Sequence, residues 1–399
     1  MSKEKRRVPK LRFPGFTEDW EQRKADYIFK SVTDKGYPEL PVLSASQELG
    51  MVYRDQNGID IQHDKKNETS YKRVLPGQFV IHLRSFQGGF AYSEIEGITS
   101  PAYTVMSFKN SSEQYGLFWK HVFKSEIFIK RLETITYGIR DGRSISFSDF
   151  KSLLLQYPSF SEQKLIGDSI AVIERGITLH QRKLDNLKLK KKALLQKLFP
   201  KNGERYPELR FPGFTDAWEQ RKFSDLYEKI SEKNDLSYSL DKIISVANMY
   251  YKSDAKVSNE EYLKTYNIFR YGEIAFEGNK SKDFAYGRFV ENTIGDGIIS
   301  HVFEVFRPIG KYDICFWKYY INYEPIMGKV LSRCTKKTTM MTNLVAKDFL
   351  KETVLVPTLA EQNQIGTLLN TLDKSITLHQ RKLDHLQLQK KALLQQMFV

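Results

Sequence analysis

The feature that most constrains this chain is a near-exact internal repeat. The stretch RFPGFTEDWEQRK at 12–24 returns as RFPGFTDAWEQRK at 210–222, with two differences in thirteen positions. ITLHQRKLDNLKLKKKALLQKLF at 177–199 likewise returns at 376–398, identical at 18 of 23 positions. Two copies of a segment this long are too few for a solenoid. They predict a duplicated protein with internal pseudo-two-fold symmetry.

The repeat divides the chain into a leader, a variable domain and a long helix, each present twice. The domains share only short matches, such as FAY at 90–92 with FAY at 284–286 and FWK at 118–120 with FWK at 316–318. The leaders and helices, which together form the frame, are nearly identical in the two copies, whereas the domains differ. This contrast predicts that each domain recognises a different target of the same kind. The predicted boundaries are 1–24 (leader), 25–158 (first domain), 159–199 (central helix), 200–222 (linker and second leader), 223–357 (second domain) and 358–399 (distal helix).

Both long segments have the pattern of a coiled-coil helix. S-x-x-E at 159–162 and T-x-x-E at 358–361 predict capping boxes, in which a hydroxyl and a carboxylate satisfy backbone N–H groups at a helix start. Apolar residues then recur at steps of three and four, from Ile166 to Leu198 and from Ile365 to Met397. Such a seam needs an apolar partner, and two-fold symmetry reverses the second copy. We therefore predict that the two helices pair as an antiparallel coiled coil.

Each seam is interrupted by one histidine and one lysine: His180 and Lys191 in the first copy, His379 and Lys390 in the second. A single polar residue in a coiled-coil seam commonly fixes the register, and this is the role we predict for the two histidines. Metal ligation is the alternative interpretation. It is disfavoured because no cysteine or acidic cluster stands beside either histidine.

The leader is predicted to be a structural joint anchored by tryptophan and phenylalanine. It stands where one helix ends and the next domain begins, since Phe199 leads into the leader at 207–218 through a short linker. Two-fold symmetry would place Phe398, one residue from the end of the sequence, beside the first leader at 9–20.

The variable domains, residues 25–157 and 223–356, mix short strands with turns and an aromatic helical segment. In the first domain we predict strands at 77–83, 101–108 and 152–158, and a helix from Tyr115 to Leu132; the second domain repeats this order. The predicted fold class is therefore α+β. It comprises two similar α+β domains, related by pseudo-two-fold symmetry and separated by two long helices packed as an antiparallel coiled coil.

The net charge of +14 and the pI near 9.3 favour a polyanionic partner, with nucleic acid first and an acidic membrane surface second. Nucleic acid is preferred because the long helices carry seams suited to another helix rather than a membrane-binding face. No apolar run predicts a membrane span or a secretory signal, so we expect a cytoplasmic protein. Two cysteines, Cys315 and Cys334, predict reduced thiols rather than a disulfide framework.

Two pairs of basic loops occupy equivalent places in the two domains. RSFQGGFAY (84–92) and GNKSKDFAY (278–286) follow a predicted strand, while YGIRDGRS (137–144) and SRCTKKTT (332–339) follow the helix. Arg, Asn and Gln read base edges and Lys neutralises phosphate; for any single residue, an ordinary solvated turn is the alternative. The predicted DNA-binding residues are Arg84, Ser85, Gln87, Tyr92, Arg140, Arg143, Asn279, Lys280, Lys282, Tyr286, Arg333, Lys336 and Lys337.

Sequence motifs of catalysis are missing. There is no G-x-x-x-x-G-K phosphate loop, no dinucleotide-binding glycine fingerprint and no Asn/Asp-Pro-Pro-aromatic tetrapeptide, the signature of adenine N6-methyltransferases. No catalytic, cofactor-binding or metal-binding residue is therefore predicted, and we expect no enzyme activity from this chain alone.

The whole chain resembles the specificity subunit of type I restriction-modification enzymes. The resemblance is carried by the leader LRFPGFT-x-x-W-E-Q-R-K, by helices that begin with P-x-x-x-E-Q-x-x-I-G, and by the duplicated basic domains. It implies that the two domains are target-recognition domains for the two halves of a split DNA site. It also implies that the chain binds two methyltransferase subunits, which motor-nuclease subunits join. The family has no fixed base-contacting motif, so no residue is carried over.

The same resemblance places the cofactors on the partner subunits. S-adenosylmethionine serves adenine N6 methylation, and ATP with Mg serves translocation and cleavage by the motor subunits. The alternatives are a self-sufficient DNA methyltransferase or nuclease, and a coiled-coil scaffold protein. The missing catalytic motifs speak against the first alternative, and the basic, divergent domains speak against the second.

Overall fold

The computed structural model describes residues 8–46, 49–57, 65–82, 89–133, 145–201, 203–253, 259–337 and 341–398. The chain forms two compact units. One comprises Met1–Gln181 and Arg381–Val399, and the other comprises Arg182–Gln380. Each unit thus contains one variable domain together with a stretch of both long helices.

The first unit is built on a four-stranded antiparallel sheet with the strand order β2-β9-β6-β7. Three two-stranded ladders, β1-β10, β3-β4 and β5-β8, surround it. The strands are β1 Glu21–Lys24, β2 Phe29–Val32, β3 Leu43–Ser46, β4 Gly50–Tyr53, β5 Lys72–Val74, β6 Phe79–Ile81, β7 Phe90–Tyr92, β8 Gly97–Thr99, β9 Thr104–Phe108 and β10 Leu154–Tyr157. The helices are α1 Ala25–Ile28, α2 Gly116–Val122, α3 Glu126–Glu133, α4 Phe147–Ser152 and the long α5 Phe160–Leu198.

Alternation along the strands gives this sheet two buried faces. Phe79 and Ile81 on β6 belong to one core cluster with the aromatic residues of α2, whereas Val80 between them belongs to a second cluster with β3 and β4. Successive strand residues point to opposite faces of a sheet, so both faces of the central strand are covered.

The second unit repeats this plan around the sheet β12-β19-β16-β17. Its strands are β11 Glu219–Lys222, β12 Tyr227–Ile230, β13 Ile244–Ser245, β14 Tyr250–Tyr251, β15 Asn267–Phe269, β16 Ile274–Glu277, β17 Arg288–Glu291, β18 Gly297–Ile299, β19 Val305–Pro308, β20 Thr335–Lys337, β21 Thr342–Leu344 and β22 Thr353–Val356. Its helices are α6 Ile314–Tyr320, α7 Glu324–Cys334, α8 Ala346–Lys351 and the long α9 Leu359–Gln396. The predicted α+β class of both domains is confirmed.

The two long helices run antiparallel within each unit, as predicted. In the first unit, Ile166 and Ile170 of α5 share a core cluster with Leu393 of α9 and with Met397 just beyond its end. Further along α5, Glu174 forms an ion pair with Lys390 at 2.8 Å. In the second unit, Leu198 near the end of α5 lies in one cluster with Ile365 and Leu369 near the start of α9. The role of His180 and His379 in the register stays a prediction.

Each leader is hydrogen-bonded to the end of a long helix, and its role as a joint stays a prediction. In the first unit the backbone N–H of Leu11 donates to the Gln396 carbonyl at 2.9 Å, and in the second the N–H of Leu209 donates to the Lys197 carbonyl at 2.8 Å. The aromatic anchors match as well. Trp20 and Phe398 both pack on Phe118, while Trp218 and Phe199 both pack on Phe316.

The glutamates of the two predicted capping boxes have another partner. Arg12 forms a two-pronged ion pair with Glu162, at 2.7 and 2.8 Å, and Arg210 forms the same pair with Glu361, at 2.8 Å for both bonds. Thr358 still accepts the Glu361 N–H, at 3.4 Å. In a capping box the glutamate carboxylate would accept from a backbone N–H, but here it accepts from the leader arginine instead. A guanidinium makes stronger, charge-assisted hydrogen bonds with a carboxylate than a backbone N–H does.

Two further predictions about the domains are corrected. FAY at 90–92 forms strand β7, whereas FAY at 284–286 precedes strand β17; the true counterpart of Tyr92 is Glu291, since these residues face β6 and β16 in the same register. The single helix predicted from Tyr115 to Leu132 is two helices. The Ser125 hydroxyl accepts the Phe128 N–H at 3.2 Å and donates to the Val122 carbonyl at 2.7 Å, so it ends α2 and starts α3.

Candidate nucleic-acid interface

In the second unit, two segments predicted separately to bind DNA lie side by side. The loop 278–287 joins β16 to β17, and the strands β20 and β21 form a hairpin around sixty residues later. Asn279 forms a backbone bridge with Met341, and the Thr342 N–H donates to the Gly278 carbonyl at 2.8 Å. We call the loop 278–287 together with β20 and β21 the paired-loop surface.

The polar residues predicted in these segments stand on the solvent side of the paired-loop surface. Asn279, Lys280 and Lys282 are exposed on the loop, and Lys336 and Lys337 are exposed on β20. The Asn279 amide also donates to Glu277 at 3.4 Å. Amide and ammonium groups gathered on one exposed surface are of the kind that reads base edges and binds phosphates.

An aromatic ring supports this surface from below. Tyr286 is half-buried against the main core of the unit, and the Lys337 ammonium lies 5.5 Å from the centre of its ring. A cation over an aromatic face is attracted by the ring quadrupole. Through this contact Lys337, the last residue of β20, lies against Tyr286 of the loop.

Arg333, the remaining predicted residue of this domain, is already paired. It is the last residue but one of helix α7, and its guanidinium donates to both carboxylate oxygens of Glu352, at distances from 2.5 to 3.0 Å. This ion pair ties the end of α7 to the segment before β22. Both partners retain some exposure, so a phosphate would have to compete with Glu352 for Arg333.

In the first unit most predicted residues lie outside the described residues: Arg84, Ser85, Gln87, Arg140 and Arg143. Tyr92 is described, and it belongs to strand β7 rather than to a loop. Its ring packs on Phe79 with the centroids 5.0 Å apart, and burial raises the pKa of its hydroxyl. Tyr92 is thus anchored in the sheet by its ring.

Sequence reasoning missed the residues that hold the paired-loop surface in place. Arg288, at the start of β17, donates to the buried Glu277 carboxylate at 2.7 Å and to the Ala247 carbonyl at 2.7 Å. Its guanidinium also lies 5.2 Å from the Phe284 ring centre. These contacts close the base of the loop on both of its strands. In the sequence, the only sign of this arrangement was the pair of opposite charges, Glu277 and Arg288, that flanks the loop 278–287.

Two features limit the chemistry of the described residues. Within them, no group of three or more His, Cys, Asp or Glu side chains could hold a metal ion. Among the same residues, no helix combines the length and the apolar character needed to cross a membrane.

Comparison with known proteins agrees with the resemblance in the sequence. Residues 215–388 match the family model of the type I restriction modification DNA specificity domain. The fold is similar to the S subunit of a type I restriction-modification system from M. genitalium, with a TM-score of 0.62 and 14% identity over 98% of this chain and 99% of that one. An HsdS subunit from Thermoanaerobacter tengcongensis matches 95% of this chain and 96% of its own, with 16% identity and a TM-score of 0.46. Residues 215–388, which hold the second variable domain and most of α9, therefore belong to the type I restriction modification DNA specificity domain family, and the whole chain shares its fold with a solved S subunit.

Proposed function

We propose that this chain reads a split DNA site with its two variable domains, one for each half. The observation that carries the proposal is the contrast between frame and domain. The joints repeat to within about 0.1 Å in their hydrogen bonds, whereas the basic segments 84–89 and 137–144 of the first domain share almost no residues with 278–283 and 332–339 of the second. A duplicated reader with two different surfaces is suited to two different half-sites.

The paired-loop surface is the proposed reader of the second half-site. Asn279 offers an amide that can pair with adenine, and the lysines around it offer charges for phosphates. The net charge of +14 supplies the general attraction to DNA, which salt weakens by restoring the counterions that binding releases. In the first domain the same role falls to the segments that contain Arg84 and Arg143.

The frame is proposed to dock two copies of one partner, an adenine-N6 methyltransferase subunit. Exposed leucines of the frame occur in matched pairs: Leu11 with Leu209, Leu179 with Leu378, and Leu189 with Leu388. Leu189 is 68% exposed and Leu388 is 66% exposed, although both stand on otherwise basic helices. Apolar side chains kept exposed at equivalent places in both repeats suggest two equivalent docking surfaces.

Catalysis in this proposal belongs to the partners. The methyltransferase subunits would supply S-adenosylmethionine chemistry, and motor-nuclease subunits would supply ATP- and Mg-dependent translocation and cleavage. This chain would position them on DNA in the cytoplasm and carry no catalytic residue of its own. The missing catalytic motifs in the sequence support that division of labour.

Mapping of methylated adenines tests the proposal. Cells that express this chain with its methyltransferase should carry a split methylated motif that disappears when the gene for this chain is deleted. Replacing residues 25–157 with the equivalent domain of another family member should change one half of the motif and leave the other half intact. A change in both halves together, or methylation that persists without this chain, would contradict the proposal.

A further inference from the structure

The paired-loop surface is held together by one buried hydroxyl group. Thr342 is 1% exposed, and its Oγ1 lies 2.9 Å from the Tyr286 carbonyl and 3.2 Å from the Gly278 carbonyl. Its backbone N–H donates to Gly278 as well, at 2.8 Å. A single residue of the hairpin therefore binds both ends of the loop.

Glycines at the two ends of the loop make this close approach possible. A Cβ atom on Gly278 would stand 2.1 Å from the Thr342 carbonyl oxygen. Gly287 has a φ of +79°, and a Cβ atom there would stand 2.6 Å from the Glu277 carbonyl oxygen and 3.0 Å from Thr342 Oγ1. At Gly278, loop and hairpin thus touch backbone to backbone, and a side chain there would force them apart. At Gly287, a side chain would strain the left-handed backbone and crowd β16.

We propose that Thr342 is a positioning residue for specificity, one that locks the loop 278–287 onto the hairpin β20–β21 so that both read DNA as one preformed surface. This inference rests on the proposed function of the second domain. Thr342 is buried and reaches no base itself. It acts on Asn279 and Lys337, whose relative placement depends on the contact between the two segments.

The physical reason is preorganisation. Base readout needs donors and acceptors held close to their productive geometry, and segments that must be ordered during binding lose affinity and discrimination. If the hydroxyl is lost, the Tyr286 carbonyl loses its buried donor, and the loop can separate from the hairpin. Attraction to phosphates depends on charge and should survive; discrimination between bases should not.

Three variants separate the hydroxyl from the shape of the side chain. Thr342→Val keeps the branched shape without the hydroxyl, and Thr342→Ser keeps the hydroxyl. Thr265→Val is the matched control, because it makes the same change in the same unit but outside the paired-loop surface, where the Thr265 hydroxyl donates to the Tyr262 carbonyl at 2.8 Å. Gly278→Ala tests the close approach independently of Thr342.

The experiment uses the full-length chain and duplex DNA selected by it from a random pool. Affinity is measured for the preferred site and for versions altered in either half; the half read by the second domain is the one that remains when residues 25–157 are exchanged. We expect Thr342→Val and Gly278→Ala to reduce discrimination at that half at least fivefold and to leave the other half unchanged. Thr342→Ser and Thr265→Val should stay within twofold of the original chain.

Two results would overturn the inference while leaving the proposed function intact. The first is that Thr342→Val and Gly278→Ala both discriminate between the preferred and the altered sites to within twofold of the original chain. The other is an equal loss at both halves, which would indicate a general loss of structure. If the original chain itself selects no sequence, the proposed function fails, and the positioning role of Thr342 fails with it.

Discussion

The ammonium of Lys191 lies 2.7 Å from one carboxylate oxygen of Asp373, and the Tyr319 hydroxyl donates to the other oxygen at 2.6 Å. This three-residue group joins α5, α9 and the domain helix α6. In the other repeat, Lys390 pairs with Glu174 at 2.8 Å, and the position of Tyr319 is taken by His121. A lysine in each apolar seam is therefore the partner of an acidic residue on the opposite helix.

We predict that Lys191→Met destabilises the protein even though methionine suits an apolar seam. About a quarter of each side chain is exposed, so the pair is screened, and we expect a loss of about 1 kcal/mol in the free energy of unfolding. Urea titration measures this loss. Lys192→Ala, on the exposed face next to Lys191, should change stability by less than about 0.5 kcal/mol. Equal losses from both variants would show that the ion pair contributes nothing specific.

His121 should make the protein sensitive to mild acid. It is fully buried, and neither ring nitrogen has a hydrogen-bond partner among the described residues. Burial lowers its pKa to about 3, although Glu174 opposes the shift and Lys120, Lys124 and Lys390 add to it. The unfolded chain binds a proton below about pH 6.5, while the folded chain does not until about pH 3. Stability is therefore lost as pH falls through this window, by up to about 1.4 kcal/mol per pH unit.

His121→Tyr removes this titration and introduces the residue present at the equivalent position, Tyr319. Unfolding measured from pH 7 to pH 5 should show a smaller slope in the variant than in the original chain. His301→Tyr changes an exposed histidine and is the control, with the slope of the original chain. If the free energy of unfolding of His121→Tyr changes with pH as steeply as that of the original chain, the prediction is wrong, whatever the absolute stability of the variant.

Glu291 is a buried carboxyl group whose neutralisation should stabilise the protein. It is 3% exposed, and neither oxygen has a hydrogen-bond partner within the described part of the chain. Burial first, and then the nearby Asp313, raise its pKa well above the ordinary value. The folded protein therefore holds a proton there that the unfolded chain releases above about pH 4.5, so stability falls as pH rises.

Glu291→Gln should raise the free energy of unfolding at pH 7 by about 1–3 kcal/mol, because the cost of keeping the carboxyl group protonated disappears. Glu277→Gln, on the neighbouring strand, is the control. It should lower the free energy of unfolding, since the Glu277 carboxylate forms an ion pair with Arg288 at 2.7 Å. Thermal unfolding should place the two variants on opposite sides of the original chain. A loss of stability in Glu291→Gln would contradict the prediction.

The two leader joints should be equally important to stability. Glu162 and Glu361 are fully buried, and each is neutralised by a single arginine, Arg12 or Arg210. Arg12→Ala and Arg210→Ala each leave a buried carboxylate without its cation, and we expect each to cost about 3–5 kcal/mol. Arg23→Ala, on an exposed strand, should leave the unfolding midpoint unchanged. Chemical denaturation of the three variants measures whether Arg12→Ala and Arg210→Ala lose equal free energies of unfolding. Clearly unequal losses would contradict the prediction.

The sequence by itself determined the frame of this protein. Steps of three and four over five heptads allow only a long helix with one apolar face, and the observed helices end within three residues of the predicted limits. The duplicated leader, with Trp20 matching Trp218, likewise required two equivalent joints. Such predictions can be made from the sequence because they depend on local periodicity and on identity between repeats, both of which are properties of the chain alone.

Only the tertiary structure decided which polar groups meet. Glu162 lies in a capping-box pattern, yet its carboxylate binds Arg12, which is 150 residues away in the sequence. Thr342 resembles an ordinary hairpin residue until the fold brings it against Gly278, 64 residues earlier. Local patterns contain no information about such partners, because the energy of a buried hydrogen bond or ion pair depends on what the fold places within about 3 Å of it. The paired-loop surface is for that reason a property of the folded chain.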